Sequence, residues 1–192
     1  MKPLTHDDLF NLETYARERT AFRSKVLAHK KQRTIHLGDH LTLLFEDRLT
    51  VQYQIQEMLR IERIFEAAGI QDELDAYNPL IPDGHNLKAT LLVEYEDEQQ
   101  RRRELQRLRG LEDHIELQVG DETAIAIADE DMERSNDDKT SAVHFLRFEL
   151  SPGMLAEWAR GGTVTLRSTH PAGRVSAALS AEQCTALAQD FN

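Results

Sequence analysis

Hydrophobic residues recur along this chain at two periods, and the change of period divides it into helices and strands. Arg48–Ala68 (RLTVQYQIQEMLRIERIFEAA) holds neither Gly nor Pro and follows the helical period. At about 100° per residue, Val51, Ile55, Met58, Leu59, Ile61 and Phe65 fall on one broad stripe. Glu62 lies near the middle of that stripe and Gln54 inside its edge. The pattern therefore predicts two polar side chains set into an apolar face. A carboxylate buried there has to be protonated, paired or ligating, because an unpaired charge in a core is heavily penalised.

The rest of the chain divides in the same way. Thr5 and Asp8 form a capping box that predicts a helix from about Asp7 to Lys31, with Leu9, Leu12, Ala16, Phe22 and Val26 inward. Thr34–Leu37 and Leu41–Glu46 read as two strands around Gly38-Asp39. Gly69 is placed to terminate the long helix, and a short helix follows near Asp72–Ala76. Asn86–Glu96 alternates, with Leu87, Ala89, Leu91, Val93 and Tyr95 on one face. A polar helix spans Glu98–Arg109, and Ile115–Val119 with Thr123–Ala128 makes a hairpin. Ala142–Leu150 is a strand, and Pro152 opens a short helix carrying Trp158. Thr163–Arg167 and Val175–Leu179 are strands, and Ser180 with Gln183 caps a last helix. The expected fold is α+β: a mainly antiparallel sheet of about seven or eight strands with the Arg48–Ala68 helix packed on it, in one domain over residues 1–192.

Composition narrows the function classes. A formal net charge of −11 argues against a nucleic-acid binder and against docking on anionic lipid. One cysteine, Cys184, excludes an intrachain disulfide and a cysteine-based metal cluster. The absence of a signal-peptide pattern and of any long apolar run makes a cytoplasmic protein the expectation, with no membrane partner.

Phe45–Glu62 (FEDRLTVQYQIQEMLRIE), Asn78–Tyr95 (NPLIPDGHNLKATLLVEY), Val143–Phe148 (VHFLRF) and the His170-Pro171 turn together resemble a family of uncharacterised bacterial proteins known as a domain of unknown function. The resemblance covers nearly the whole chain. It implies no activity and assigns no residue a role. It does imply a setting, because members are often encoded beside rubrerythrin-like di-iron proteins and iron–sulfur oxidoreductases. Such a protein is a potential partner, in a peroxide or redox-stress context.

Candidate chemistry centres on Glu46, Arg48, Gln54, Glu57, Glu62 and His144. His144 shares a strand face with Leu146, Phe148 and Leu150, so each ring nitrogen needs a partner. If the sheet packs on the long helix, His144 meets Glu62 or Glu57. The set then reads as a core pair, as a ligand pocket of Arg48, Gln54, Glu57, Glu62, Lys88 and His144, or as a site where Glu57, Glu62 and His144 hold Fe, Mn or Zn. No Glu-x-x-His helix pair is present, so a ferritin-like di-iron site is not expected.

Other stretches read as surface or structure. His36 and His40 flank a tight turn. Pro82–Asn86, with Lys88 nearby, is a rigid turn whose backbone could receive an anion. Asp129–Asp138 lacks the spacing of a calcium loop. Arg101–Arg103 lie among acids, and Cys184 reads as a small buried hydrophobe. Three readings follow: an accessory or ligand-binding protein with a polar pocket between helix and sheet, a small metal-dependent enzyme using the same residues, and an interaction module using the basic end of the first helix.

Overall fold

The strict alternation of Asn86–Val93 becomes the middle strand of an antiparallel sheet, its Leu87, Ala89, Leu91 and Val93 all buried. The computed structural model describes residues 1–128 and 140–191. With β1 Thr34–Leu37, β2 Leu41–Glu46, β3 Asn86–Val93, β6 Ile127–Ala128 and β7 Val143–Glu149, this sheet runs β1-β2-β3-β7-β6. A second antiparallel sheet, with β4 Ile115–Val119, β5 Glu122–Ile125, β8 Val164–Ser168 and β9 Val175–Ala178, runs β5-β4-β8-β9.

The two sheets face each other across one core. Leu43, Phe45, Leu87, Leu91 and Phe148 of the first sheet pack in the same buried cluster as Ile115, Leu117 and Leu166 of the second. The sheets are joined at one side by the chain itself: Ala126, between β5 and β6, donates its N–H to Ile115 O at 2.8 Å. At the other side the β1–β2 turn comes close to β9. Gly38 has φ 64°, and a Cβ there would lie 3.2 Å from Val175 Cγ1, so both conformation and space favour glycine.

Helices close the two ends. At the end where β2 begins and β3 finishes, α4 (Glu98–Arg107) and the turn Leu111–His114 cover the core with Leu105, Leu108 and Leu111. At the opposite end, α5 (Pro152–Ala159) and α6 (Ala181–Ala188) cover it with Met154, Trp158 and Leu187.

A second, smaller core lies among the remaining helices. α1 (Leu12–Lys31), α2 (Arg48–Glu62) and α3 (Ala67–Tyr77) bring Val51, Ile55, Leu59 and Leu74 together with Leu4 and Ile81. The fold is thus α+β and antiparallel. Its nine strands, counted among the described residues, form two sheets, where the sequence pattern suggested one sheet of seven or eight. The long helix also packs differently: the buried side chains of α2 meet the helical core instead of the main sheet core.

Two helix boundaries explain the difference. Arg63 adopts the left-handed conformation (φ 56°), and the Ile64 N–H closes back on Leu59 O at 2.9 Å. This ends α2 before Phe65, which is left 73% exposed, and Ile61 in the last turn of the helix is 61% exposed. Gly69, expected as the helix stop, lies within α3, where a Cβ would come within 2.8 Å of Ile64 Cγ2. Its role is close approach. The second boundary is near Phe10. The Thr5–Asp8 capping box opens a short 3-10 turn, and α1 starts separately with Asn11 as N-cap. Between them Phe10 gives its N–H to Gln56 Oε1 (2.6 Å) and takes the Gln56 Nε2–H on its carbonyl (3.2 Å).

Candidate functional site

The expected pocket residues are dispersed. Gln54 and Glu62 are both exposed, because the buried stripe of α2 runs through Thr50, Val51, Ile55, Gln56 and Leu59. Arg48 pairs with Asp8 at 2.5 Å and donates to Lys2 O, tying the first residues to α2. Glu57 faces α1, where it accepts from Tyr15 Oη (2.7 Å) and from Arg19 Nε and Nη2 (2.8 and 2.9 Å). The Arg19 guanidinium holds the Glu57 carboxyl down to about 2, helped by Tyr15 and Arg60 against the cost of burial.

Lys88 donates to Pro79 O at 2.7 Å. His144 does lie inward on β7, opposite Leu91, but its surroundings come from a different element than expected. Its Nε2 lies 2.9 Å from Thr140 Oγ1, 3.0 Å from Ser141 O and 3.8 Å from Glu112 Oε2. The structure therefore does not bring His144 together with Glu57 and Glu62. Among the described residues no three His, Cys, Asp or Glu side chains are grouped to hold a metal ion.

The Pro82–Asn86 turn is also internally satisfied. Asp83 Oδ1 accepts from His85 N, Asn86 Oδ1 accepts from Asp83 N, and Asn86 Nδ2 donates to Asp83 Oδ2. The acidic stretch Asp129–Asp138 lies outside the described residues. Cys184 is half-buried, and burial pushes its thiol up from its ordinary value.

Two polar clusters that the periodicity did not reveal lie at opposite ends of the first sheet. Where β2 finishes, Arg33 is fully buried as the hub of a junction. It donates to Phe45 O (2.9 Å), Glu46 O (3.2 Å) and Ala186 O (3.2 Å), and pairs with Asp190. Asp47 caps α2 through the N–H groups of Leu49 and Thr50, takes His29 Nε2 at 2.5 Å, and lies 3.5 Å from Arg33. Burial works to raise Asp47, but His29, Arg33 and the Thr50 N–H outweigh it and leave the carboxyl below its ordinary value. Glu46 is held by Thr50 Oγ1 (2.6 Å) and Thr90 Oγ1 (2.7 Å). The Asp before Arg48 is a legible N-cap signal. Arg33 has no such signal, since it ends a run of exposed bases.

Where β2 begins, polar groups surround open space. The β1–β2 turn, the exit of β3, the start of α4 and the entry of β7 border a groove of about 780 Å³. Asp39, His40, Glu94, Tyr95, Glu96 and Arg101 line it, with Leu92, Val93, Ala142 and Val143. His40 and Tyr95 stack, with ring centroids 4.0 Å apart and planes 23° from parallel. A carbonyl only accepts, so His40 Nδ1 carries the proton it gives to Glu94 O (3.0 Å), leaving Nε2 an acceptor in the neutral ring. Thr42 Oγ1 donates to Glu94 Oε2 (2.6 Å) and in turn lies 3.0 Å from His36 Nδ1. Arg101 Nη1 donates to Tyr95 O at 3.3 Å. Burial and the neighbouring Glu104 carboxylate push the Tyr95 phenol above its ordinary value, so it stays a donor at neutral pH. Asp39 and Glu96 are exposed at the rim.

His114 and His170 also lie near this end, each tied to backbone: His114 Nδ1 to Gly110 O (2.9 Å), His170 Nε2 to Arg109 O (3.1 Å). Their rings meet edge to face, with centroids 5.1 Å apart. The groove offers hydrogen-bonding groups, an aromatic face and negative charge. Its described lining contains no serine, threonine or cysteine to act as a nucleophile.

A model of the family described as "Protein of unknown function (DUF3501)" matches residues 3–191. The chain belongs to that family. A crystal structure of a protein of unknown function from Burkholderia pseudomallei K96243 is 51% identical, covers 100% of each chain and superposes with a TM-score of 0.94. A comparison with curated proteins finds no match. Among the described residues, no helix of this DUF3501 protein is long and apolar enough to cross a membrane.

Proposed function

We propose that this DUF3501 protein is a non-catalytic binding protein that takes a positively charged ligand in the groove beside His40 and Tyr95. The observation that carries the reading is three carboxylates, Asp39, Glu94 and Glu96, placed around a preformed imidazole–phenol stack. A cation over the tyrosine face gains from the ring quadrupole as well as from the carboxylates. The fixed position of the stack, anchored through Glu94 O and Arg101, reduces the ordering cost of binding.

The resemblance to proteins encoded beside redox enzymes gives the setting. An iron–sulfur or rubrerythrin-like protein that presents a basic segment is the first macromolecular partner to offer. An NMR titration with spermidine tests the chemistry directly. Shifts confined to the groove residues Asp39, His40, Glu94, Tyr95, Glu96 and Arg101, and lost in a folded Asp39→Lys/Glu96→Lys variant, support the reading. No shifts, or shifts that survive the charge reversal, reject it.

A further inference from the structure

Asp190 lies in the short turn Gln189–Phe191 after α6 and is fully buried. Its Oδ2 pairs with Arg33, while its Oδ1 is buried with no hydrogen-bond partner. The same guanidinium lies 3.5 Å from Asp47, so two buried carboxylates share one permanent cation. They are not equivalent. Asp47 has further donors in His29 and in the N–H groups of Leu49 and Thr50, whereas Asp190 depends on Arg33.

The charged groups facing Asp190 are Arg33 from the α1–β1 connection, Asp47 from the β2–α2 connection and His29 from α1. Glu46 reaches Arg33 only through its carbonyl, its carboxylate being held by Thr50 and Thr90. A proton on Asp190 therefore removes a fully buried charge and its repulsion with Asp47, at the cost of its ion pair with Arg33. Arg33 keeps Asp47 and three carbonyls.

The turn that carries Asp190 is continuous with α6, and α6 is seated by contacts around it. Arg33 Nη1 donates to Ala186 O, Gln183 Nε2 donates to Thr34 O (2.9 Å), and Trp158 Nε1 donates to Cys184 O (3.1 Å). The Trp158 and Phe191 rings meet edge to face at 5.2 Å. α6 also walls a groove of about 550 Å³ lined by Trp158, Cys184 and Ala188.

We propose that Asp190 is a proton-operated clasp: protonated, it seats α6 and its following turn firmly on the body of the protein, and ionised, it loosens that seat. Burial lifts Asp190 from 3.8 to about 6 against the pull of Arg33. In an unseated α6 the carboxyl returns to the ordinary value. The seated form then binds the extra proton across this window, so seating is strongest at the acid side and weakens as pH rises through about 6. A shift of about two units corresponds to a change of roughly 100-fold in the opening equilibrium.

Native-state hydrogen exchange of the full chain reads this equilibrium. After correction for intrinsic rates, protection of the α6 amides should fall by about 10-fold between pH 5 and pH 7.5, the rest of the ~100-fold change lying below pH 5, with β3 amides unchanged. Asp190→Asn should hold α6 at its acid-side protection throughout. Protection that is flat or rises with pH, or a pH step that persists in Asp190→Asn, overturns the proposal. His29→Gln should keep the step, and its loss there would assign the proton to the histidine instead. If Asp190→Asn does not fold, a carbon-13 carboxyl titration of the unmodified protein decides: a midpoint near 6 supports the clasp, and one below 4 overturns it.

Discussion

The two ends of the first sheet use polar residues in opposite ways. Where β2 finishes, Arg33, Asp47 and Asp190 are buried and bound to one another and to backbone. Where β2 begins, Asp39, His40 and Glu96 are exposed around a groove. A buried ion network gains strength from its low dielectric, but each member is costly once its partner is lost. Exposed charges are screened and nearly neutral to stability, which leaves them free to act on a ligand. One end thus fixes how sheet, helices α1 and α2, and α6 are joined. The other end is available for recognition.

Mutations at the two ends should separate these roles. Arg33→Met leaves the buried Asp190 without its partner and takes one of several from Asp47, and should lose about 3–5 kcal/mol of unfolding free energy in urea, with part of it recovered when Asp190→Asn is added. A loss below about 1 kcal/mol would show that the junction is wetter than its geometry indicates. Gln56→Leu removes both bonds to the Phe10 backbone, and about 1–3 kcal/mol should be lost, with faster hydrogen exchange at Phe10.

Glu57→Gln lies between the extremes, since its carboxylate is half-buried but held by three side chains, Tyr15, Arg19 and Arg60. At neutral pH it should cost about 1–2 kcal/mol. The carboxyl is depressed on folding, so the stability it contributes is present above its ordinary value of 4.5 and fades as pH falls towards 2. Denaturation curves of the two proteins should therefore converge on acidification. The smallest effect is expected at the open end, where Asp39→Lys/Glu96→Lys should stay within ~0.5 kcal/mol while changing ligand binding.

Much of the fold was legible because strands and caps are local. The alternation of Asn86–Val93 and Val143–Glu149, the Pro152 helix start and the Ser180–Gln183 capping box all appear as their spacing predicts. His144 was correctly placed inward on its strand. The candidate pocket was not legible, because the long-helix periodicity ran past the real helix end. Nothing in Arg60–Glu66 marks a stop, since Arg63 adopts the left-handed conformation without being glycine. The periodic stripe and the buried face share Val51, Ile55 and Leu59, but the buried face takes in Thr50 and Gln56, while Ile61 and Glu62 in the last turn and Phe65 beyond it are exposed.

The amino-acid sequence alone determined which segments are strands and helices, how most of them are capped, and that the chain is strongly acidic. These follow from side-chain period and from hydrogen bonds spanning three or four residues. Tertiary structure alone decided that the strands form two sheets, that α2 packs with helices, and that Arg33 lies beside Asp190, 157 positions away. Such contacts depend on the relative placement of whole elements. A charged residue carries no local mark of whether its partner will be water or a carboxylate brought from the far end of the chain.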